Sequence, residues 1–111
     1  MLLNQRIYEY LKNDNIKVNL TGFTYLSSAI EYNITRGILV PLKINEVYAL
    51  VADAYGSSIS TVERLIRYAL KSSGKNILAS QYIIDASYKI NQQITEKQSP
   101  YKKANVLQKT L

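Results

Sequence analysis

Between positions 60 and 71 the chain places Ser60, Thr61, Glu63, Arg64, Arg67, Tyr68 and Lys71 in the gaps of an apolar pattern made by Val62, Leu65, Ile66, Ala69 and Leu70. The apolar residues fall at i, i+3, i+4, i+7 and i+8, the spacing of one helical face, so the polar set shares the opposite face. These side chains can read a base edge. A guanidinium such as Arg64 can donate two parallel hydrogen bonds to a guanine, and a carboxylate such as Glu63 can accept from a cytosine amino group. Ser57, Ser58 and Ser60, at the start of the same segment, suit phosphate contacts near the positive end of a helix. Arg67 and Lys71 lie further along and suit phosphate clamps. Tyr68, on the outward side, could pack on a deoxyribose or a thymine methyl, or cover its own helix. A plainer alternative is that Glu63 and Arg67, four residues apart, form a solvated ion pair worth only a few tenths of a kcal/mol.

Other chemistries are excluded by composition. The 111 residues include no cysteine and no histidine, which removes thiol nucleophiles, imidazole bases and thiolate or imidazole metal sites. Eight acidic residues are scattered without a carboxylate pair, and no phosphate-binding glycine loop occurs, so no enzyme, cofactor or metal is expected. The formal charge is +6 and the pI about 9.5, the balance of a protein that binds something anionic. Residues 1–20 carry five charged side chains (Arg6, Glu9, Lys12, Asp14 and Lys17) and no signal peptide pattern. No run of about 18 apolar residues occurs, so the expected setting is cytoplasmic, without a membrane partner.

The elements that must hold the 60–71 face are helical. Leu3, Ile7, Tyr10 and Leu11 predict a helix over 3–13, stopped at Asn13-Asp14-Asn15. Ile16 to Leu20 alternates and could form a short extended piece before a break at Thr21-Gly22. Phe23, Leu26, Ala29 or Ile30, and Ile34 predict a second helix to Thr35, with Gly37 as its cap. Ile38-Leu39-Val40-Pro41 reads as a buried loop, and Leu39, Val40 and Leu42 would make a self-association patch if it is not buried. A third helix over Lys43–Tyr55 should turn Val47, Leu50, Val51 and Ala54 inward, and a fourth covers 59–72, capped by Ser58 or Ser60. A fifth is expected over 77–90 and a weak sixth over 101–109 after Pro100. The expectation is one all-α domain over 1–111, about six helices, with 97–111 a weaker helix or tail.

The third and fourth helices, broken only at Gly56-Ser57-Ser58, have helix-turn-helix spacing. Ala52 is small enough for two helices to cross, Gly56 four residues on can take positive φ, and Val62 is the first buried contact of the second helix. In such a unit the second helix enters the major groove.

At these residues the chain resembles a known family. VERLIRYAL at 62–70 is similar to the V-E-R-A-I-R-H-A-I recognition helix in the DNA-binding effector domain of the stage-zero sporulation master regulator. GFTYLSSAI at 22–30 resembles its G-Y-x-Y-L-x-x-A-I helix, and Val47-Tyr48 with Val51-Ala52 matches its L-Y-P-x-I-A pattern. The resemblance covers roughly residues 4–74 and is loose beyond. It implies a six-helix, sequence-specific double-stranded DNA binder that regulates transcription in endospore-forming bacteria as tandem or paired copies. Glu63, Arg64 and Arg67 match the family's E-R-x-x-R face and are the expected DNA contacts. Two departures argue against the same target sequence. Thr61 stands where the family has arginine, and Asp53-Ala54 where it has paired lysines. The family's receiver domain also has no counterpart before Met1, so the expected switch is not phosphorylation through a receiver.

Residues 75–111 carry six basic and two acidic groups, so Lys97, Lys102, Lys103 and Lys109 either track the phosphate backbone or form a solvated tail. Tyr8, Tyr25, Tyr48 and Tyr55 are expected in the core. Expected partners are double-stranded DNA, a second copy of the chain on DNA, and RNA polymerase or another regulator. Two other roles remain open: a plasmid or phage DNA-binding accessory factor, and an adaptor that kept the fold and binds protein.

Overall fold

A computed structural model describes residues 2–98 and contains five helices in the order α1 (Leu3–Asn13), α2 (Thr21–Arg36), α3 (Ile44–Tyr55), α4 (Ile59–Ser72) and α5 (Ala79–Gln98). The architecture is all-α. The expected sixth helix at 101–109, and Lys97, Lys102, Lys103 and Lys109, fall where no side chain is described.

One continuous core joins all five helices, with Ile7 and Leu11 from α1, Leu26 and Ile30 from α2, Val51 from α3, Ile66 and Leu70 from α4, and Ile83 and Ile90 from α5. Each such side chain contributes about 1.5–3 kcal/mol by leaving water. The second helix lies at the centre, packed on each of the other four. Its approach to α4 is close because Gly22 has no side chain. A Cβ there would stand 2.2 Å from the Leu65 carbonyl oxygen and 2.7 Å from the Ala69 Cβ. Gly22, read from sequence as part of a break, is therefore a contact point inside the first turn of α2.

Four sequence expectations are corrected. Residues 17–20 form a turn, with Asn15 at φ 68 and Ile16 buried, because Ile16 folds into the core instead of alternating along a strand. The Ile38–Pro41 loop is not buried. Gly37 takes φ 107, Val40 N–H closes a turn on the Gly37 carbonyl, and Leu39 stands 93% exposed. In α3 the buried residues are Val47, Tyr48, Val51 and Ala52, whereas Leu50 and Ala54 face outward. The fifth helix starts at Ala79, two residues later than expected, and runs on past Ile90 to Gln98.

Of the four tyrosines expected in the core, Tyr25 and Tyr48 are buried and Tyr8 and Tyr55 are partly exposed. Tyr8 meets Phe23 edge to face at 5.5 Å, and the Tyr55 hydroxyl lies 2.8 Å from Ser28 Oγ. Tyr82 is the core tyrosine that the spacing does not single out. Its hydroxyl donates to Asp14 Oδ2 at 2.6 Å, while Lys75 Nζ pairs with Asp14 Oδ1 at 2.9 Å. One carboxylate after α1 thus holds both the α4–α5 connection and the first turn of α5.

Candidate nucleic-acid interface

The turn between α3 and α4 is three residues, Gly56-Ser57-Ser58. Gly56 sits in the left-handed region at φ 64, ψ 39, which a glycine takes without steric cost. Its N–H and the Ser57 N–H, the latter at 2.8 Å, both donate to the Ala52 carbonyl and so close the end of α3. Ala52 is buried where α3 meets α4, and Val62 is fully buried at the first turn of α4. Of the two candidate caps, Ser58 is the one used. Its Oγ accepts from Thr61 N–H at 3.2 Å and donates to Thr61 Oγ1 at 2.9 Å.

Beyond that turn α4 is sharply two-sided. Val62, Ile66, Ala69 and Leu70 are buried, and Leu65 packs against the core. Ser60, Arg64, Arg67, Tyr68 and Lys71 are exposed, with Glu63 and Thr61 half-buried at the edges. At 100° per residue, Ser60, Arg64, Arg67 and Lys71 stand within one narrow stripe along the helix, flanked by Glu63 and Tyr68. The structure therefore brings together on one face the residues singled out for base and phosphate contacts. Ser58 and Thr61 are the exception, because their hydroxyls are engaged in the cap, and Ser60 Oγ also lies 3.3 Å from Ser58 Oγ.

Arg67 Nη1 is hydrogen-bonded to Glu63 Oε1, so the plainer alternative, an i,i+4 ion pair, exists in the free protein. Both partners are substantially exposed, and such a pair adds little to stability. It does orient both groups before any contact is made. Arg64 has neither a salt bridge nor a hydrogen bond among the described residues and points freely into solvent.

Tyr48 of α3 belongs to the tyrosines expected in the core with hydroxyls at its edge. It is 4% exposed and lines a groove of about 610 Å³ between α3, α4 and the start of α5. Burial raises its hydroxyl pKa to about 12, with the Glu63 carboxylate adding to the rise and Arg67 opposing it. The hydroxyl thus lies beside the interface and stays a donor near neutral pH. No periodicity rule finds this, because an apolar stripe counts the ring and ignores the oxygen.

The model of a protein family described as "Sporulation initiation factor Spo0A C terminal" matches residues 7–102. The chain belongs to this family. The Spo0A C-terminal match extends well past residue 74, into α5 and beyond, where the motif resemblance had faded. The family is one of DNA-binding effector domains that regulate transcription at the start of sporulation, and it is not a family of enzymes. No curated protein and no solved structure matches the chain. Among the described residues of this Spo0A C-terminal relative, no helix is long and apolar enough to cross a membrane, and no cluster of acidic side chains could hold a metal ion.

Proposed function

We propose that the chain is a sequence-specific double-stranded DNA-binding protein, a transcriptional regulator that lays α4 in the major groove. One observation carries this reading: the solvent-facing stripe Ser60, Arg64, Arg67 and Lys71 on a helix whose other side is anchored in the core, just past a three-residue turn. A rigid helix with its donors aligned can follow a groove with little ordering of backbone. Arg64 and Glu63 read base edges, with Arg67 either reading a base or holding a phosphate. Ser60, Tyr68 and Lys71 contact sugar or phosphate, and Thr61 and Ser58 fix the N-terminal end of the helix. With Thr61 and Asp53 in place of basic residues, fewer phosphates are neutralised than in relatives that keep those charges, so binding should be weaker and its salt dependence shallower. The basic 75–111 segment adds long-range attraction for the duplex.

An adaptor role is favoured by a different observation. Leu39 and Val40 are exposed beside Ile84 and Tyr88 of α5, an apolar patch that α4 does not border. Amide chemical-shift mapping separates the two. Titration with a duplex should move the signals of residues 60–71 and leave those of Leu39, Ile84 and Tyr88 in place. Shifts confined to the Leu39 patch on adding a protein partner, with residues 60–71 silent toward every duplex, would replace the DNA-binding reading by the adaptor.

A further inference from the structure

The groove beside α4 has the features of a seat for a single anion. Two helices start against it, α3 with Ile44 and Asn45, and α5 with Ala79 and Ser80. The α3 start has no side-chain cap, since its N-cap residue is Lys43. Both helix dipoles therefore present their positive ends to the same space. Lys71 and Arg67 form its outer rim along α4 and carry the groove onto the stripe just described. At its inner wall is Tyr48, more than nine-tenths buried as a residue, whose hydroxyl has no hydrogen bond to a described residue and is not sealed from solvent. A buried donor without a protein partner is costly unless something else accepts from it. Here solvent reaches the hydroxyl, so water or a ligand oxygen seated in the groove can accept from it.

The charges on the wall decide the class of acceptor. Glu63 is neutralised by Arg67, and Lys75, deeper in the groove, is already paired with Asp14. Among the described residues on this wall, that leaves Lys71 as the cation without an ion pair, together with two half-charges from the helix ends. This balance suits one singly charged phosphodiester and is too weak for a phosphomonoester with two charges. Apolar side chains at the opening, Ile77 and the 76%-exposed Leu78, offer a surface for a sugar next to that phosphate. We propose that this groove seats one backbone phosphate of the duplex whose bases α4 reads, with the Tyr48 hydroxyl donating to it and Lys71 pairing its charge. The proposal rests on the DNA-binding reading above and extends it to the strand beside the recognition helix. A phosphate held at the groove would fix how far α4 slides along the DNA, so Tyr48 is a register contact without base preference.

The test is a titration of the full chain with a duplex enriched from a randomised pool and with a scrambled duplex, each over a range of salt. Tyr48→Phe keeps the ring and removes the oxygen, and thermal melting establishes that it folds as the original does. It should weaken binding to both duplexes alike, by about tenfold, without changing the salt slope, because a neutral donor releases no counterion. Lys71→Gln is exposed and cannot disturb the core; it should lower the slope of log affinity against log salt by about 0.9. Original affinity for both duplexes with Tyr48→Phe overturns the assignment, whatever Lys71→Gln does, since the phosphate would then lie outside the groove. Loss on the enriched duplex alone also overturns it, making Tyr48 a reader of sequence through α4. Arg64→Ala, measured beside them, keeps the two readings apart. If it abolishes the preference for the enriched duplex while Tyr48→Phe is silent, DNA reading stands and only the groove assignment falls. If the unaltered chain binds neither duplex, both fall together.

Discussion

Arg64 is the residue on which sequence reading should turn, because it is exposed at the middle of the α4 stripe and has no ion pair among the described residues, whereas Arg67 is held by Glu63. Arg64→Ala should cost about 1–3 kcal/mol of binding and relax the preference at a single base position. Competition with duplexes varied one base pair at a time checks this, and uniform weakening at every position would make Arg64 a phosphate contact instead. Gly22 matters for the opposite reason, having nothing to reach with. Gly22→Ala puts a methyl group against the Leu65 carbonyl and Ala69, and should lower stability by at least about 1–3 kcal/mol through overpacking of α2 on α4. Chemical denaturation would show it, and an unchanged midpoint would mean that the helices can part there without cost. The two residues differ in how far sequence discloses them. Arg64 is visible because its neighbours in the pattern are apolar on cue. Gly22 is not, because the atoms that demand its small size are more than forty positions away, and the same distance hides the Asp14–Tyr82 bond.

At the level of elements, α4 was legible to the residue and α3 was not. The fourth helix alternates charged and aliphatic side chains cleanly enough that only one rotation buries the apolar set. In α3, Tyr48 to Ala52 is a continuous apolar run, and such a run leaves the phase of the helix undetermined. The packed structure chose Tyr48 and Ala52 over Leu50 and Ala54 because Ala52 lets α3 close on α4. The Ile38–Pro41 loop misled for a related reason. Hydrophobic composition argues for burial, but a segment bounded by Gly37 and Pro41 turns outward and leaves Leu39 in water. Ser58 gives the element-scale prediction. Since it caps α4 through Thr61 N–H, Ser58→Ala should cost about 1 kcal/mol of stability, whereas Ser60→Ala should cost almost none. Equal losses in thermal unfolding would show that the two hydroxyls share the cap.

For the whole molecule, the buried phenols couple stability to pH. Burial raises Tyr48 to about 12 and, with the Asp14 carboxylate beside it, carries Tyr82 well above the ordinary tyrosine range. The folded protein therefore holds these protons more tightly than the unfolded chain does. Stability is complete below the ordinary tyrosine value of 10.0 and falls as pH climbs from there through the folded value. Melting temperatures measured at neutral and at strongly alkaline pH should show a smaller alkaline loss for Tyr48→Phe than for the unaltered chain. Equal losses would mean that lysine deprotonation, not the phenols, governs the alkaline limb. At neutral pH the property that matters is the field of a +6 chain, which attracts any duplex but selects none. Selection must come from α4. The direct measurement is enrichment from a randomised duplex pool, followed by anisotropy titration of the enriched and scrambled duplexes at two salt concentrations. The account predicts that one short motif is enriched, bound with an affinity that falls as salt rises, and no longer preferred after Arg64→Ala. Weak binding of every duplex alike, equally strong with and without Arg64, would contradict it.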